Sequence, residues 1–297
     1  MSRRKLPTEP EGGLGFIDVH CHLPWLGRRD PSLPPYSEQM DRFFAAGGKY
    51  LITSSTDIPS LNSVREIVSQ QERTGFTCGW APQHVTYTDA AVYRVQREEW
   101  ENYVLENPEE FLAIGEVGLD FHHARTLAGR ERQLSELKWV LKLTKNLRKP
   151  YVLHVRNASE RDVDKERSDH RYNERDGAMR AILDLLDEQG ILPERVMWHC
   201  FAGPMEYGPR LAEAGFTLSV PSSAYKFKRW RRITTEVPLD ALVTETDAPY
   251  QHPTRLEPVN EPVNVSYAIA AIASTHGISQ QEVAEVTVAN ALRFFGI

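Results

Sequence analysis

Two histidines stand two positions apart at the end of an apolar segment near the start of the chain. The segment reads FIDVHCHL at residues 16–23 and places His20 and His22 on either side of Cys21. Side chains at positions i and i+2 point to the same face of a strand, so we expect both imidazoles on one face and Cys21 on the other. Imidazole is a common ligand of divalent transition metals. The spacing predicts a metal-binding strand end, with two backbone-bonded histidines beside a buried strand as the alternative.

Further imidazoles and carboxylates accompany four other apolar segments. Glu116 lies in FLAIGEV, His154 in YVLHV and His199 in RVMWHC, while Asp247 follows ALVTE. Mixed imidazole and carboxylate ligands suit zinc or manganese, whereas magnesium prefers oxygen ligands. Six such groups exceed the need of one tetrahedral ion and could hold two ions about 3.5–4 Å apart. Glu116 is the natural bridge between two ions, because a carboxylate has two oxygens.

Eight short apolar segments alternate with longer stretches of helical pattern. Their continuous apolar character is typical of parallel strands covered on both faces. The alternation predicts a single (β/α)8 TIM barrel over residues 15–297, with the metal site at the C-terminal ends of the strands. A doubly wound open sheet is the competing arrangement, but the sequence lacks the glycine-rich phosphate loop that would favour it. The predicted strands are 16–19, 49–55, 76–80, 111–117, 151–155, 195–200, 216–220 and 241–245, and the predicted helices include 58–73, 90–106, 130–147 and 177–189.

Composition and charge set the class of protein. The 297 residues are 41% hydrophobic and 26% charged, which fits one globular barrel, and no segment approaches the roughly 18 apolar residues needed to span a membrane. Residues 1–14 lack the apolar core of a secretory signal, so we expect a flexible N-terminal tail. The three cysteines are too few for a disulfide framework, which favours a cytoplasmic location. The net charge of −6 gives no overall attraction for nucleic acid, so binding DNA would require a local basic patch.

Two segments depart from the barrel pattern. Residues 157–177 form a polar insertion after the fifth predicted strand, interpreted as a solvated rim loop, with a protein-docking element as the second hypothesis. The segment YKFKRWRR at 225–232 interleaves basic and aromatic side chains. We expect Lys226, Lys228 and Arg229 to line a substrate groove and contact a phosphate backbone. The aromatic rings between them could stack on bases or face the core.

Four other side chains lie beside the candidate ligands. Cys21 and Cys200 each adjoin a histidine, and strand alternation predicts that both thiols turn away from the metal site and are buried. Asp120 and Glu245 are interpreted as groups that orient a loop or a ligand, rather than as ligands themselves.

Seven segments, taken in order, resemble the TatD family of metal-dependent deoxyribonucleases, which belongs to the amidohydrolase-type barrel superfamily. The similarity runs from residue 16 to the end of the chain. Single motifs such as HxH are modest signals, but all seven in order at barrel spacing form a strong one. The segments are FIDVHCHL, AIGEVGLDF, HVRNA, WHCFAGP, VTETDAPY, NEPVNV and NALRFFGI.

The resemblance implies a metal-dependent phosphodiester hydrolase that acts on DNA, an exonuclease for single strands or 3′ ends, with a binuclear metal site and metal-activated water. Asp247 and Glu116 are the implied catalytic residues, and Asp247 would also orient or deprotonate the water. Arg156 would contact a substrate phosphate, a role that its forked guanidinium suits. The first of the two metal ions (zinc, manganese or magnesium) would be held by His20, His22, Glu116 and Asp247, and the second by Glu116, His154 and His199.

One segment departs from the family pattern, which carries Gly-Φ-His-Pro-His after the third strand. Here residues 79–84 read GWAPQH, so Ala81 and Gln83 occupy the two histidine positions and His84 lies one place later. We expect His84 to substitute in part on the substrate side. Two alternatives follow: a hydrolase of the same superfamily that acts on a non-nucleic-acid ester or amide, or a TatD-like subunit of a bacterial DNA-processing or antiviral defence assembly that binds partners through 157–177.

Overall fold

A computed structural model describes residues 7–29, 34–158, 176–254 and 259–297 of the chain. Eight parallel strands pair in chain order, each with the next, which confirms the predicted barrel. All eight predicted strands are present, with bounds that differ by a few residues at their ends. The strands are β1 (Phe16–Cys21), β2 (Gly48–Ser54), β3 (Thr74–Cys78), β4 (Ala113–Asp120), β5 (Tyr151–Arg156), β6 (Val196–His199), β7 (Thr217–Pro221) and β8 (Leu242–Glu245).

Helices follow the strands and cover the outside of the barrel. The predicted helices 90–106 and 177–189 have the observed bounds, whereas 58–73 ends earlier and 130–147 is shifted. Among the described residues, no helix is long and apolar enough to cross a membrane. The helices are α1 (Leu23–Arg29), α2 (Tyr36–Ala45), α3 (Ile58–Val68), α4 (Pro82–Tyr87), α5 (Ala90–Glu106), α6 (Leu127–Thr144), α7 (Gly177–Gln189), α8 (Tyr207–Glu213), α9 (Lys228–Glu236), α10 (Ser266–His276) and α11 (Gln280–Phe295).

The core has two parts, one between strands and helices and one inside the barrel. The inner cluster combines strand side chains with one face of α11, where Val288, Ala291 and Phe295 recur at helical spacing. These apolar side chains fill the interior of the barrel, and polar groups occupy the C-terminal ends of the strands. The strand members of the inner cluster are Ile17, Val19, Ile52, Ala113, Val152, Met197 and Val243.

The barrel closes where β8 lies beside β1. Thr244 Oγ1 donates to the carbonyl of Ile17 at 3.0 Å, and the backbone N–H of Thr246 donates to Asp18 Oδ1 at 2.9 Å. Asp18 is fully buried, and burial raises the pKa of its carboxyl group well above the usual value. This closure places the end of β8, and Asp247 after it, next to the histidines of β1.

Two β-bulges change which side chains face the barrel mouth. In β1, Asp18 pairs with Leu51 and Cys21 pairs with Thr53, so β1 holds one residue more than β2 between the two pairs. In β4, Gly115 and Val117 pair with consecutive residues of β5, so Glu116 is the extra residue. Each bulge interrupts strict alternation directly beside a predicted metal ligand.

The predicted flexible tail is wrong for the part that the structure describes. Tyr225 Oη donates to Glu9 Oε1 at 2.9 Å, and Gln280 Nε2 donates to the carbonyl of Glu9 at the same distance. Leu14 is buried in the core. Residues 7–14 therefore lie against the barrel, because Tyr225 and Gln280, the first residue of α11, bind this segment. Residues 1–6 lie outside the described part of the chain.

The ends of the predicted insertion at 157–177 lie close together. Asn157 Oδ1 accepts hydrogen bonds from the backbone N–H groups of Ala178 and Met179 at 3.0 and 3.3 Å. The first residue of the insertion therefore satisfies backbone N–H groups in the first turn of α7. Residues 159–175, on which the docking hypothesis depends, lie outside the described residues.

Candidate metal centre

The six predicted metal ligands meet at the mouth of the barrel, around one oxygen of Glu116. Its Oε2 lies 3.6 Å from His20 Nε2, 3.6 Å from His154 Nδ1 and 3.6 Å from His199 Nε2. Burial by itself raises the pKa of Glu116, but the neighbouring imidazoles, first of all His154 and His20, lower it well below the ordinary value. Glu116 is therefore a buried carboxylate anion between three imidazoles from three strands.

One half of the centre, the β1/β8 half, consists of His20, His22 and Asp247. The two Nε2 atoms of the histidines are 3.3 Å apart, and Asp247 Oδ1 lies 3.5 Å from His22 Nε2 and 3.9 Å from His20 Nε2. Ser54 on β2 occupies the other ring nitrogens, because its Oγ lies 3.0 Å from His20 Nδ1 and its carbonyl oxygen 3.2 Å from His22 Nδ1. Both Nε2 atoms are therefore left to face the centre.

The other half, the β5/β6 half, consists of His154 and His199, which buried carboxylates support. Asp120 Oδ2 lies 3.0 Å from His154 Nε2, and Glu245 Oε2 lies 3.0 Å from His199 Nδ1. Glu245 Oε2 also accepts a hydrogen bond from Ser219 Oγ at 2.6 Å. The contact of Glu245 agrees with its interpretation as a group that supports a ligand, whereas Asp120, interpreted as a residue that orients a loop, contacts both His154 and the loop backbone at His123.

The supporting carboxylates change the protonation of these histidines. Burial by itself lowers the pKa of His154, but the neighbouring carboxylates of Asp120 and Glu116 outweigh it and raise the pKa to about 10. Burial is likewise outweighed at His199, where Glu245 is the main cause of a pKa raised to about 9. His20 differs: burial, reinforced by the charge of His199, lowers its pKa to about 3.

The donor atoms fit divalent cations. Three groups of side chains each place their ligand atoms within 4.8 Å of one another. Two of these groups are His20–His22–Glu116 and Glu116–His154–His199. Within the described residues, His154 Nδ1 is buried and has no hydrogen-bond partner, although it is directed at Glu116. A buried ring nitrogen without a partner is costly, and a bound cation would satisfy it. The third group joins His20, His199 and Glu245, but the Oε2 of Glu245 already accepts from His199 and Ser219.

A cavity of about 1070 Å³ opens above the centre. Of the predicted substrate-binding residues, Arg156, His84 and Arg229 line it. Lys226 and Lys228 are exposed on the same segment as Arg229 but are not part of the cavity wall. The Nζ of Lys226 instead donates to the carbonyl of Thr254. The basic segment thus presents one predicted cation to the cavity, because the start of α9 directs the others elsewhere.

His84 and its neighbour Gln83 lie at different depths of the site. His84 packs with its ring centroid 4.6 Å from that of Trp80, and its Nδ1 lies 2.9 Å from Thr88 Oγ1. Gln83, rather than His84, reaches the metal centre, where its Nε2 lies 2.9 Å from Asp120 Oδ2. The sequence identified the substitution at position 83 but not this contact, which joins two separate elements.

The prediction for Cys200 is wrong, whereas Cys21 is buried as expected. β6 ends at His199, and Cys200 has a positive φ of 46°, so strand alternation does not extend to its side chain. Cys200 is half-buried and lines the cavity. Burial raises the pKa of its thiol well above the ordinary value, so the group is neutral. Cys21 turns outward, and its thiol approaches the carbonyl of Ile52 at 3.5 Å.

Several side chains of the site were given no individual role from the sequence. Ser54 orients two ligands from β2, and its serine type alone does not indicate that role. Trp25, Trp230 and Tyr250 add aromatic surface to the cavity wall. The interleaved aromatic pattern of 225–232 is the one signal that could have indicated Trp230.

A TIM barrel with buried imidazoles and carboxylates at its C-terminal rim defines the class of metal-dependent hydrolases. Comparison with known proteins gives the family. The family described as TatD related DNase matches residues 17–296. The chain therefore belongs to the TatD family of metal-dependent hydrolases.

Relatives and solved structures agree with this assignment. The human protein named "Deoxyribonuclease TATDN3" is 29% identical, over 95% of each chain. The Mycobacterium tuberculosis protein named "Uncharacterized metal-dependent hydrolase TatD" is 30% identical over 95% of this chain and 98% of its own. In fold, the crystal structure of a TatD family hydrolase from Entamoeba histolytica has a TM-score of 0.77 at 19% identity, covering 96% of this chain and 99% of its own. The Escherichia coli TatD homologue YJJV has a TM-score of 0.74 at 22% identity, covering 95% and 98%.

Proposed function

We propose that the protein hydrolyses phosphodiester bonds in DNA at a centre of two divalent cations. The observation that carries the proposal is the position of Glu116, whose Oε2 is 3.6 Å from ring nitrogens of His20, His154 and His199. A carboxylate between two sets of imidazoles is suited to bridge two ions. Zinc, manganese or magnesium bound there would supply Lewis-acid stabilisation of the phosphate and an activated nucleophile.

The residues of the chain have separate tasks in this proposal. Glu116 joins the β1/β8 half to the β5/β6 half. Asp247 lies at the edge of the centre and lines the cavity, so its carboxylate can accept a proton from the attacking water. Arg156, at the end of β5, lines the same cavity and presents a guanidinium to the phosphate.

DNA as substrate is supported by the wall of the cavity and by the name of a relative. Arg229 offers a cation to the phosphate backbone, and the neighbouring Trp230 offers a half-buried ring. Base stacking on an aromatic ring requires unpaired bases, so this wall suits single strands or frayed 3′ ends, as an exonuclease would use. The human relative at 29% identity carries the name deoxyribonuclease. A cytoplasmic location and protein partners through 157–177 stay predictions.

A nuclease assay with metal analysis tests the proposal. End-labelled single-stranded DNA is incubated with the purified protein, with chelated protein and with chelated protein resupplied with Mn²⁺. We expect cleavage, its loss in chelator and its return with Mn²⁺. Asp247→Asn should lose cleavage, whereas the exposed Asp240→Asn, as matched control, should retain it.

Two results would count against the proposal. A wild-type protein that binds no metal, even after soaking, would exclude the two-ion centre. Metal-dependent hydrolysis of carboxylic esters or amides without any cleavage of DNA would instead favour the alternative substrate class within the same superfamily.

A further inference from the structure

The side chain of Gln83 connects three elements at the barrel mouth. Gln83 belongs to α4, which follows β3, and lies in the segment GWAPQH that departs from the family pattern. Its Nε2 lies 2.9 Å from Asp120 Oδ2 at the end of β4 and 3.1 Å from His154 Nε2 on β5. The contacts span up to 71 positions of the sequence, so the fold alone produces them.

A buried glutamine on α6 fixes the position of α4. Gln133 Oε1 accepts a hydrogen bond from the backbone N–H of Asp120 at 2.8 Å. Its Nε2 donates to the carbonyl of Pro82 at 3.1 Å and to Thr86 Oγ1 at 2.7 Å. Gln133 therefore links the start and the middle of α4 to the end of β4. These links hold Gln83, which lies on α4, at the metal centre.

Asp120 is saturated by the groups around it. Its Oδ2 accepts from Gln83 Nε2 at 2.9 Å, from His154 Nε2 at 3.0 Å and from His123 Nδ1 at 2.7 Å. Because His154 uses Nε2 as the donor to Asp120, Nδ1 is the ring nitrogen whose lone pair can bind an ion once its proton is displaced. That atom is directed at Glu116 Oε2, 3.6 Å away.

We propose that Gln83 is a positioning residue for the β5/β6 half of the centre, and the proposal rests on the proposed two-ion site. The amide donates to Asp120 Oδ2 and so fixes the carboxylate that accepts from His154 Nε2, which orients the imidazole so that Nδ1 would face the second ion. An amide also differs from a histidine at this place, because it cannot carry a charge or supply a competing ring nitrogen. Glu116, His154 and His199 would hold the second ion, which could polarise a substrate phosphate.

Titration of the metal-free protein with Mn²⁺ by calorimetry and electron paramagnetic resonance tests the role of Gln83. Gln83→Met keeps the length of the side chain but removes the amide, and Gln83→Ala removes both. We expect the binding step assigned to the β1/β8 half to be unchanged and the other step to weaken about 10–100-fold, as for other groups that orient a metal ligand. His154→Ala assigns the steps, and the exposed Gln281→Ala is the matched control.

The unfolding temperature of each metal-free variant separates a positioning role from a folding role. Selective weakening of one step in Gln83→Met, at an unchanged unfolding temperature, supports the proposal. The wild type could show two binding steps, with the affinities of both steps unchanged in the two variants. That result would overturn the role of Gln83 and leave the two-ion centre intact. A single wild-type step that neither variant weakens overturns the role of Gln83 and the two-ion centre together.

Discussion

The two halves of the candidate metal centre are supported by different kinds of group. In the β1/β8 half, a neutral serine contacts both histidines, with Ser54 Oγ 3.0 Å from His20 Nδ1. In the β5/β6 half, the buried carboxylates Asp120 and Glu245 contact His154 and His199, each at 3.0 Å. Burial lowers the pKa of His20 to about 3, whereas the carboxylates overcome burial and raise the pKa of His154 to about 10.

The difference shows how one fold can tune similar ligands separately. A hydroxyl orients an imidazole without adding charge, so His20 is neutral and ready to bind an ion. A carboxylate makes the imidazole more basic, so that it binds an ion more strongly but holds a proton until the ion displaces it. We therefore expect the two halves to respond differently to changes in their support and in pH.

The largest effect is expected from Glu116→Gln, which removes the group that joins both halves. Loss of the bridging charge should weaken both binding steps and reduce DNA hydrolysis by roughly 1000-fold or more, because metal stabilisation of the transition state is worth several kcal/mol. Metal content per chain and initial rates measure the effect. The exposed Glu99→Gln is the control. A variant that keeps the wild-type rate would show that the halves do not depend on this bridge.

Glu245→Gln and Ser54→Ala test the two kinds of support against each other. Glu245→Gln should weaken the β5/β6 binding step about 10–100-fold, because a charged partner of a ligand is lost. Ser54→Ala should weaken the β1/β8 step by about fivefold, since one neutral hydrogen bond contributes about 1 kcal/mol. Mn²⁺ titration of both variants gives the ratio. Equal losses in the two variants would contradict the distinction between the halves.

The pH dependence of metal binding should be steeper in the β5/β6 half. With pKa values raised to about 10 and about 9, His154 and His199 hold protons at neutral pH, so affinity falls as pH falls from about 9. Each displaced proton changes affinity by roughly tenfold per pH unit. In the β1/β8 half, the pKa of His22 is raised, although burial by itself lowers it. The pKa of His20 is about 3. Titrations between about pH 6.5 and 9 should show that affinity falls more steeply with falling pH in the β5/β6 half than in the β1/β8 half.

The smallest effect is expected at the rim, where Arg229→Ala is compared with Lys228→Ala. Arg229 lines the cavity and Lys228 does not. Arg229→Ala should raise KM for single-stranded DNA several-fold, with little change in kcat, and reduce the salt slope of binding by about one. Lys228→Ala should leave both near wild type. A larger loss in Lys228→Ala would mean that the strand passes outside the cavity.

The sequence predicted the barrel, and it named the imidazoles and carboxylates that the structure brings together at the candidate metal centre. Strands buried on both faces are continuous apolar runs, and this local pattern can be recognised without knowledge of the fold. The polar residues at the ends of those runs must gather at one rim, since all parallel strands end there. His154 and His199, 45 positions apart, were placed together by this rule and indeed pair across β5 and β6.

Other features depended on contacts between elements that no local pattern encodes. Strict alternation from Ile17 and Val19 would have turned Cys21 inward, and the bulge in β1 places His20 and His22 at the centre instead. Cys200 was misplaced for a related reason, because the strand ends one residue before it.

The sequence by itself determined the alternation of strands and helices, the (β/α)8 class and which residue types end the strands, because each follows from hydrophobic periodicity along the chain. Tertiary structure decided the rest. It set the two bulges that aim His20, His22 and Glu116, the serine and carboxylate partners that give the two halves different proton affinities, and the reach of Gln83 to His154. These contacts join residues far apart in sequence, and their geometry exists only once the barrel has closed.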